Sequence, residues 1–452
     1  MKVRLDIPLT VSEILEATGG EYHGKDGVIR FISTDSREVD ADTLFIAFGK
    51  GEDFVPDALC CGYVLSSKND DAILVKDTQK AFLEVATYYK KRLTKLKKTV
   101  MITGSVGKTT VKDFTAKILE AKYKVHKSND NFNNHIGLPL SILSADKDTE
   151  ILVLEAGMNH VGEIENLSLT ARPNIAIITC IGTAHIGNLG SRENIAKAKL
   201  EILKGLSDDG VLIVPEDEPL LRGYKNELLF GYGADAEYKI ISSNAKETVF
   251  NLRVFDKTVK DIRVPFVGEH LVKDVCIAAL VGAYLGLDAR EIKDGISKIS
   301  GVNSRQNIIN LKNFTVCDDS YNASFESYIA DFEVLKSYDG ETAAVIGDML
   351  ELGDKAEVLH FNIGVLAAKY GINRLYPFGH FASVVAKGAL SAGFKCDAVF
   401  ANTDPLCHKE TARAIIENTV PGSLVLIKGS RALQTEKITA YLKAEIGEKN
   451  DE

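Results

Sequence analysis

The sequence predicts an α/β protein of three domains. These are a small N-terminal α/β domain, a central domain with the parallel sheet of a P-loop ATPase, and a C-terminal Rossmann-like domain. Three observations carry this. Short runs rich in Val and Ile alternate with helix-like patterns along most of the chain, which indicates parallel sheets covered on both faces. A glycine-rich turn followed by Lys-Thr sits between one such run and a helix-like pattern, in Lys98–Asp113. The length of 452 residues leaves room for two to four domains.

Residues 1–97 form the first domain. Val11–Ala17 has the spacing of a short amphipathic helix, and Val28–Ser33 and Thr43–Phe48 read as strands. Phe82–Leu96 reads as a helix whose end is rich in lysine (Lys90, Lys91, Lys95, Lys97, Lys98), a solvated end leading into the next domain. Residues 98–312 form the second. Its strands are expected at Val100–Thr103, Ile151–Glu155, Ile175–Ile181 and Val211–Val214. Tyr238–Val264 alternates as antiparallel strands do, and Leu271–Leu287 is a strongly apolar helix. Residues 313–452 form the third. Strands are expected at Phe314–Cys317, Ala343–Ile346, Arg374–Phe378, Ala398–Ala401 and Leu424–Lys428, with helices at Val358–Lys369 and Phe381–Ala392 between them. No G-x-G-x-x-G occurs in this domain, but its polar motifs follow strand ends, where open α/β sheets bind ligands.

Composition narrows the function. Net charge is −9, with no basic stripe, which argues against a nucleic-acid surface. None of the seven cysteines stands in a C-x-x-C pair, so neither a zinc site nor a disulfide framework is expected, and a reducing cytoplasm is. The start MKVRLDIPLT lacks the apolar segment of a signal peptide, and no apolar run reaches the ~20 residues of a membrane span.

The central motif is Thr103-Gly104-Ser105-Val106-Gly107-Lys108-Thr109-Thr110. Glycines let the backbone approach a polyphosphate, and a helix start supplies unpaired N–H groups. Lys108 can reach the β- and γ-phosphates, and the Thr109 hydroxyl can hold Mg2+. The long form G-x-x-x-x-G-K-[ST] needs glycine at 102, where Ile102 stands; the short form G-x-x-G-K-T is present. The following helix places Val111, Phe114, Ile118 and Leu119 on one face. Glu155 ends an apolar run downstream, where a Mg2+ ligand belongs in such a domain. His185 follows another run and is expected at a strand end beside Glu155. Asn131, Asn133 and Asn134, taken alone, read as a turn rather than a binding segment. By spacing alone Lys199 reads as a lysine snorkelling from a helix that packs Ile195, Ala198 and Ile202 inward.

Seven segments in order, TGSVGKTT, NNHIGLP, EAGMNHVGEI, IGTAHIGNLGSRENIAKAKLEI, DDSYNAS, GDMLELG and KGSRALQTE, resemble the Mur ligase family over nearly the whole chain. The resemblance implies an N-terminal domain for a UDP-linked substrate, a central ATP-binding domain and a C-terminal Rossmann-like domain. It implies an ATP-dependent amide ligase with Mg2+ as cofactor, acting through an acyl phosphate. GDMLELG and the YNAS segment point to the branch that joins D-alanyl-D-alanine to UDP-N-acetylmuramoyl-tripeptide. Separately, a monomer is expected. On this resemblance Gly104 to Thr110, with Lys108, cradle the ATP phosphates; Thr109, Glu155, His185 and Lys199 hold metal, Lys199 as a carbamate; and Asn133 and Asn134 face the nucleotide. Asp319, Asn322 and Arg305 would meet the nucleotide from the domain junction, and Asp35, Ser36 and Arg37 the UDP substrate. Gly347-Asp348-Met349 with Glu351-Leu352-Gly353, and Lys428-Gly429-Ser430-Arg431, would close over the site. The chain departs from the family pattern at Gly51–Pro56, Asp274, Ser304 and Ser324-Phe325. Two rivals are another amino-acid-adding member of the family and a P-loop NTPase switch. The absence of a base-reading Asn-Lys-x-Asp segment tells against the switch.

Overall fold

The computed structural model describes residues 1–129, 131–243, 247–299 and 307–448. The chain forms two compact units. One comprises Met1–Thr179, Lys197–Phe230 and Ile277–Gly295, and the other Cys180–Ala196, Gly231–Cys276 and Ile296–Glu452.

The first unit holds two sheets. The N-terminal one contains β1 (Lys2–Thr10), β2 (Val28–Ser33), β3 (Thr43–Ile46), β4 (Tyr63–Ser66) and β5 (Ile73–Leu74) in that order. β1 is antiparallel to β2 and the other pairs are parallel. β1 was not expected from the sequence, because its alternation of Leu5, Ile7 and Leu9 with charged residues is short and begins at the chain start. Between β1 and β2, Thr10 and Glu13 form a reciprocal capping box that starts the helix Val11–Thr18. The helix expected from Phe82 begins a turn earlier, at Thr78, because Asp77 accepts from the N–H groups of Gln79 and Lys80. Its lysine-rich end is not simply solvated. Lys90 donates to the carbonyl of Ala171, which ends another helix, and burial pulls its ammonium down to about 8.

The second sheet of this unit contains β6 (Lys98–Thr103), β7 (Val125–Lys127), β8 (Ile151–Glu155), β9 (Ile175–Ile178), β10 (Val211–Pro215) and β11 (Glu227–Phe230). All its pairs are parallel, in the order β11-β10-β9-β6-β8-β7. Every residue of β8, β9 and β10 is buried, which is why their sequences are unbroken apolar runs. β6 stands in the middle, so the loop at its C-terminal end opens between β8 and β9. That is the switch point at which such sheets bind ligands.

The second unit contains the antiparallel meander β12 (Ala236–Ser243), β13 (Thr248–Val254) and β14 (Lys257–Val264), as the alternation in Tyr238–Val264 predicts. It also contains the third sheet, of β15 (Asn307–Asn310), β16 (Thr315–Asp319), β17 (Thr342–Gly347), β18 (Arg374–Phe378) and β19 (Leu424–Lys428), in the order β15-β16-β19-β17-β18. β15 is antiparallel and the rest parallel. The strand expected at Ala398–Ala401 does not form. Cys396–Ala398 is a 3-10 turn, and only isolated bridges, Val399 to Leu375 and Asn402 to Phe378, run along β18. Two apolar layers cover the sheet, one around Tyr328, Phe332 and Ile363 and one around Tyr376, Phe378 and Ile438.

Candidate active site

The phosphate loop has the backbone its glycines permit. Gly104 has φ 151°, and Gly107, which caps the helix Lys108–Leu119, has φ 82°. A Cβ on Gly104 would stand 1.8 Å from Thr179 Oγ1, so the position admits no side chain. The Thr179 hydroxyl donates to the Val106 carbonyl and ties the loop to the end of β9. Lys108 curls back over the loop, donating to the carbonyls of Gly104 at 2.8 Å and Ser105 at 3.3 Å. Thr109 is half-buried beside it, whereas Thr110 and Ser105 are buried.

Glu155 is the last residue of β8 and pairs with Ile102 of β6, which brings it beside the loop. It is 1% exposed. Asn133 Nδ2 donates to its Oε1 at 2.8 Å, while Oε2 has no hydrogen bond. Thr103 Oγ1, one residue past Ile102, is likewise buried without one. Buried carboxylate oxygens are normally paired. A buried carboxylate oxygen and a buried hydroxyl, both without a hydrogen bond where a phosphate loop begins, fit a hard cation, so the residues present suit Mg2+. Among the described residues no three His, Cys, Asp or Glu side chains gather into a cage. Mg2+ commonly keeps waters and takes only one or two carboxylates beside phosphates. Asn133 also packs against Gly157, where a Cβ would come within 3.0 Å of its amide. Asn134 has a different task. Its Oδ1 accepts from the N–H groups of Ile136 and Gly137 and starts the helix Gly137–Leu143.

Lys199 overturns the expectation from its spacing. It is 2% exposed on the helix Arg192–Leu200, not snorkelling. Lys112 was missed altogether. It lies four residues beyond Lys108, on the same helix face, and is 1% exposed. Its Nζ stands 3.9 Å from Glu155 Oε2.

The second unit places the remaining residues. His185 is not at a strand end, because β9 stops at Ile178. It begins the short helix Ile186–Leu189 in a left-handed conformation, φ 63°, with its Nδ1 paired to Glu351. Glu351 also has a left-handed backbone, and its carbonyl accepts from the Gly187 N–H at 3.0 Å. Glu326 accepts from the Thr183 N–H at 2.8 Å. GDMLELG therefore holds the His185 loop directly, a function its sequence does not announce. Arg305 and Ser304 lie outside the described residues.

At the ends of adjacent strands, Asp319 of β16 and Lys428 of β19 are register partners. Lys428, 1% exposed, is paired to Asp319 and, at 2.9 Å, to Asp331. Burial works against its charge, but the two carboxylates outweigh it and hold the ammonium above the ordinary lysine value. The Tyr328 hydroxyl donates to the carbonyls of Gly347 and Lys428, joining two of the motifs. Asn322 is exposed, and its Oδ1 accepts from the Ala323 N–H.

In the N-terminal sheet, Asp35 and Arg37 form a two-bond pair with each other, at 2.8 and 2.6 Å. The guanidinium and the Arg37 N–H hold the Asp35 carboxyl well below the usual range, and Ser36 stands between them. Glu52, in the segment that departs from the family pattern, accepts from the N–H and hydroxyl of Ser67 and fastens β4.

Residues 102–282 match the Mur ligase middle domain, and residues 304–431 match the Mur ligase, glutamate ligase domain. UDP-N-acetylmuramoyl-tripeptide--D-alanyl-D-alanine ligase of Bacillus subtilis (strain 168) is 36% identical over 453 residues, spanning 96% of this chain and 97% of that protein. The protein of the same name from Escherichia coli (strain K12) is 30% identical, spanning 97% and 99%. The crystal structure of MurF from Acinetobacter baumannii superposes with a TM-score of 0.89 at 28% identity, over 98% of this chain and 100% of that one. That of MurF ligase from Thermotoga maritima in complex with ADP gives 0.79 at 28% identity, over 92% and 97%. With the loop and the buried carboxylate beside it, these matches define an ATP-dependent, ADP-forming ligase. The chain belongs to the Mur ligase family.

Proposed function

We propose that this protein joins D-alanyl-D-alanine to UDP-N-acetylmuramoyl-tripeptide at the expense of ATP, in the cytoplasm and as a monomer. The observation that carries this is the Lys108 loop set beside the buried, half-satisfied Glu155, in a chain that matches the D-alanyl-D-alanine ligases end to end. Residues 1–97 would take the UDP substrate, around Asp35, Ser36 and Arg37; residues 98–312 the ATP; and residues 313–452 would complete the site with Asp319 and Asn322.

The tripeptide carboxylate attacks the γ-phosphorus, giving an acyl phosphate and ADP. The dipeptide amine then attacks the acyl carbon, and phosphate leaves. On triphosphate binding, Lys108 exchanges its two carbonyl partners for the phosphates and stabilises the transferring group. The loop N–H groups around Gly104 to Thr110 fix the phosphates, which makes positioning most of the catalytic gain. Thr109 and Glu155 would hold Mg2+, which would supply positive charge to offset the charge of the β- and γ-phosphates, and His185 and Lys199 are proposed as further ligands. Asn133 keeps Glu155 Oε1 occupied and so leaves Oε2 for the ion. The burial of Lys199 supports a carbamate there. The neutral Nζ would add to CO2 with loss of a proton, which turns the side chain into an oxygen ligand.

The test is phosphate release with ATP and Mg2+, each other substrate omitted in turn, and product mass measured. Release that requires both UDP-N-acetylmuramoyl-tripeptide and D-alanyl-D-alanine is expected. A requirement for a different amine would move the chain elsewhere in the family. Release with neither substrate would favour a switch.

A further inference from the structure

No motif assigns a role to Lys112, yet it borders the Glu155 site. Its ammonium lies 3.9 Å from Glu155 Oε2 and 3.6 Å from Asp113 Oδ1, and it is 1% exposed, so it cannot withdraw to solvent. Asn133 Nδ2 holds the other Glu155 oxygen at 2.8 Å. The carboxylate offered to a divalent cation thus already faces a fixed positive charge in a water-poor setting, where charges act on each other strongly. Lys108 adds a second positive group on the same helix face.

We infer that Lys112 is a positioning residue that makes the Glu155 site accept a divalent cation only together with a nucleotide polyphosphate. This rests on Glu155 being a metal ligand. In the free enzyme Lys112 balances the charge of Glu155, and a bare cation meets a compensated carboxylate and two like charges. A polyphosphate brings surplus negative charge, which cancels both lysines and leaves Oε2 free to ligate. Metal therefore enters with nucleotide and does not wait at the site alone.

Mn2+ is the probe, with free ion measured by electron paramagnetic resonance on the full-length protein without peptide substrate. Wild type should bind Mn2+ at this site only when a non-hydrolysable ATP analogue is added. Lys112→Met should bind Mn2+ without nucleotide at least ~10-fold more tightly than wild type, through relief of like-charge repulsion. Adding Glu155→Gln should abolish that gain, and Lys112→Arg, which keeps the charge, should exclude free Mn2+ as wild type does. A Lys112→Met protein that binds the analogue but shows no gain overturns the inference. If Lys112→Met does not fold, Lys112→Gln carries the same comparison, and an absent gain there overturns the inference equally. Tight binding of free Mn2+ by wild type, lost in Glu155→Gln, also overturns it. The metal role itself fails separately, if Glu155→Gln alone leaves binding of Mn2+ with the analogue unchanged.

Discussion

Lys108 and Lys199 carry the plainest tests at the scale of single residues. Lys108 is the half-buried first residue of its helix, and its ammonium is held by loop carbonyls. Lys108→Ala should lower kcat/KM by about 10^3, the scale of a deleted transition-state cation, and leave the unfolding midpoint within a few degrees. A variant within tenfold of wild type would remove Lys108 from the mechanism. Lys199→Ala should lose activity by a similar order and regain part of it with acetate, but not with chloride, because the carbamate is replaced by an oxygen ligand. Full activity without additive would refute the ligand role. The positions of the loop and of Glu155 were legible because each follows a strand-like run, whereas Asn133 reads as a turn by itself and is singled out only by the family resemblance. The burial of Lys112 and Lys199 was not legible, although the family resemblance singles out Lys199. A helical pattern gives the face on which a lysine sits, not whether a further layer covers it, and both are sealed. Lys112 did leave a signal, its spacing of four from Lys108.

Elements place these residues, and here glycine and caps decide. Gly104→Ala would bring Cβ against Thr179 Oγ1 in a backbone conformation that side chains avoid. The loop must then reshape, so nucleotide affinity should fall by at least ~10-fold, with a stability loss of about 1–3 kcal/mol. Unchanged binding of an ATP analogue, measured by calorimetry, would show that the loop tolerates other shapes. A departure from the family pattern also finds its reason at this scale. Ser324 and Ser327 cap the helix Phe325–Lys336 reciprocally, so Ser324-Phe325 makes a helix start. Strands buried on both faces were readable as apolar runs. The segment Ala398–Ala401 carries the same kind of run, but only two residues near it bridge to β18, and apolar content cannot reveal missing ladder bonds. The left-handed turn at His185 was equally hidden, since nothing but its Glu351 partner far along the chain calls for it.

For the whole molecule, buried histidines shape the response to pH. His360 is buried, accepts the Met349 N–H on Nε2 at 2.8 Å and points Nδ1 at the Ala356 carbonyl at 2.7 Å, so both nitrogens are used in the neutral form. Burial holds it below the ordinary value of 6.5, and His126 is displaced in the same direction for the same reason. Below about pH 6.5 the unfolded chain therefore takes up protons that the folded one resists. Stability is full above that pH and falls as pH drops towards the depressed folded value, by at most about 1.4 kcal/mol per unit for each group. Thermal unfolding at about pH 7.5 and about pH 5.5 should show a falling midpoint. His360→Gln, which keeps an acceptor for Met349, should reduce that fall; an equal fall in both proteins would exonerate His360. Three-sheet α/β architecture was readable from the order of apolar runs, since each parallel strand needs its own crossover. The division into two compact units was not, because it depends on which segments pack together and not on their local pattern.

The Asp319–Lys428–Asp331 triad has a consequence for how such sequences change through descent. One buried ammonium, far along the chain, serves two carboxylates. Losing Lys428 leaves two carboxylates without their cation, at a cost of about 3–5 kcal/mol, whereas replacing all three by well-packed apolar residues can be neutral. A lineage that loses Lys428 must therefore pass through compensating substitutions at Asp319 and Asp331. Across relatives these three positions should be inherited as a block and exchanged as a block.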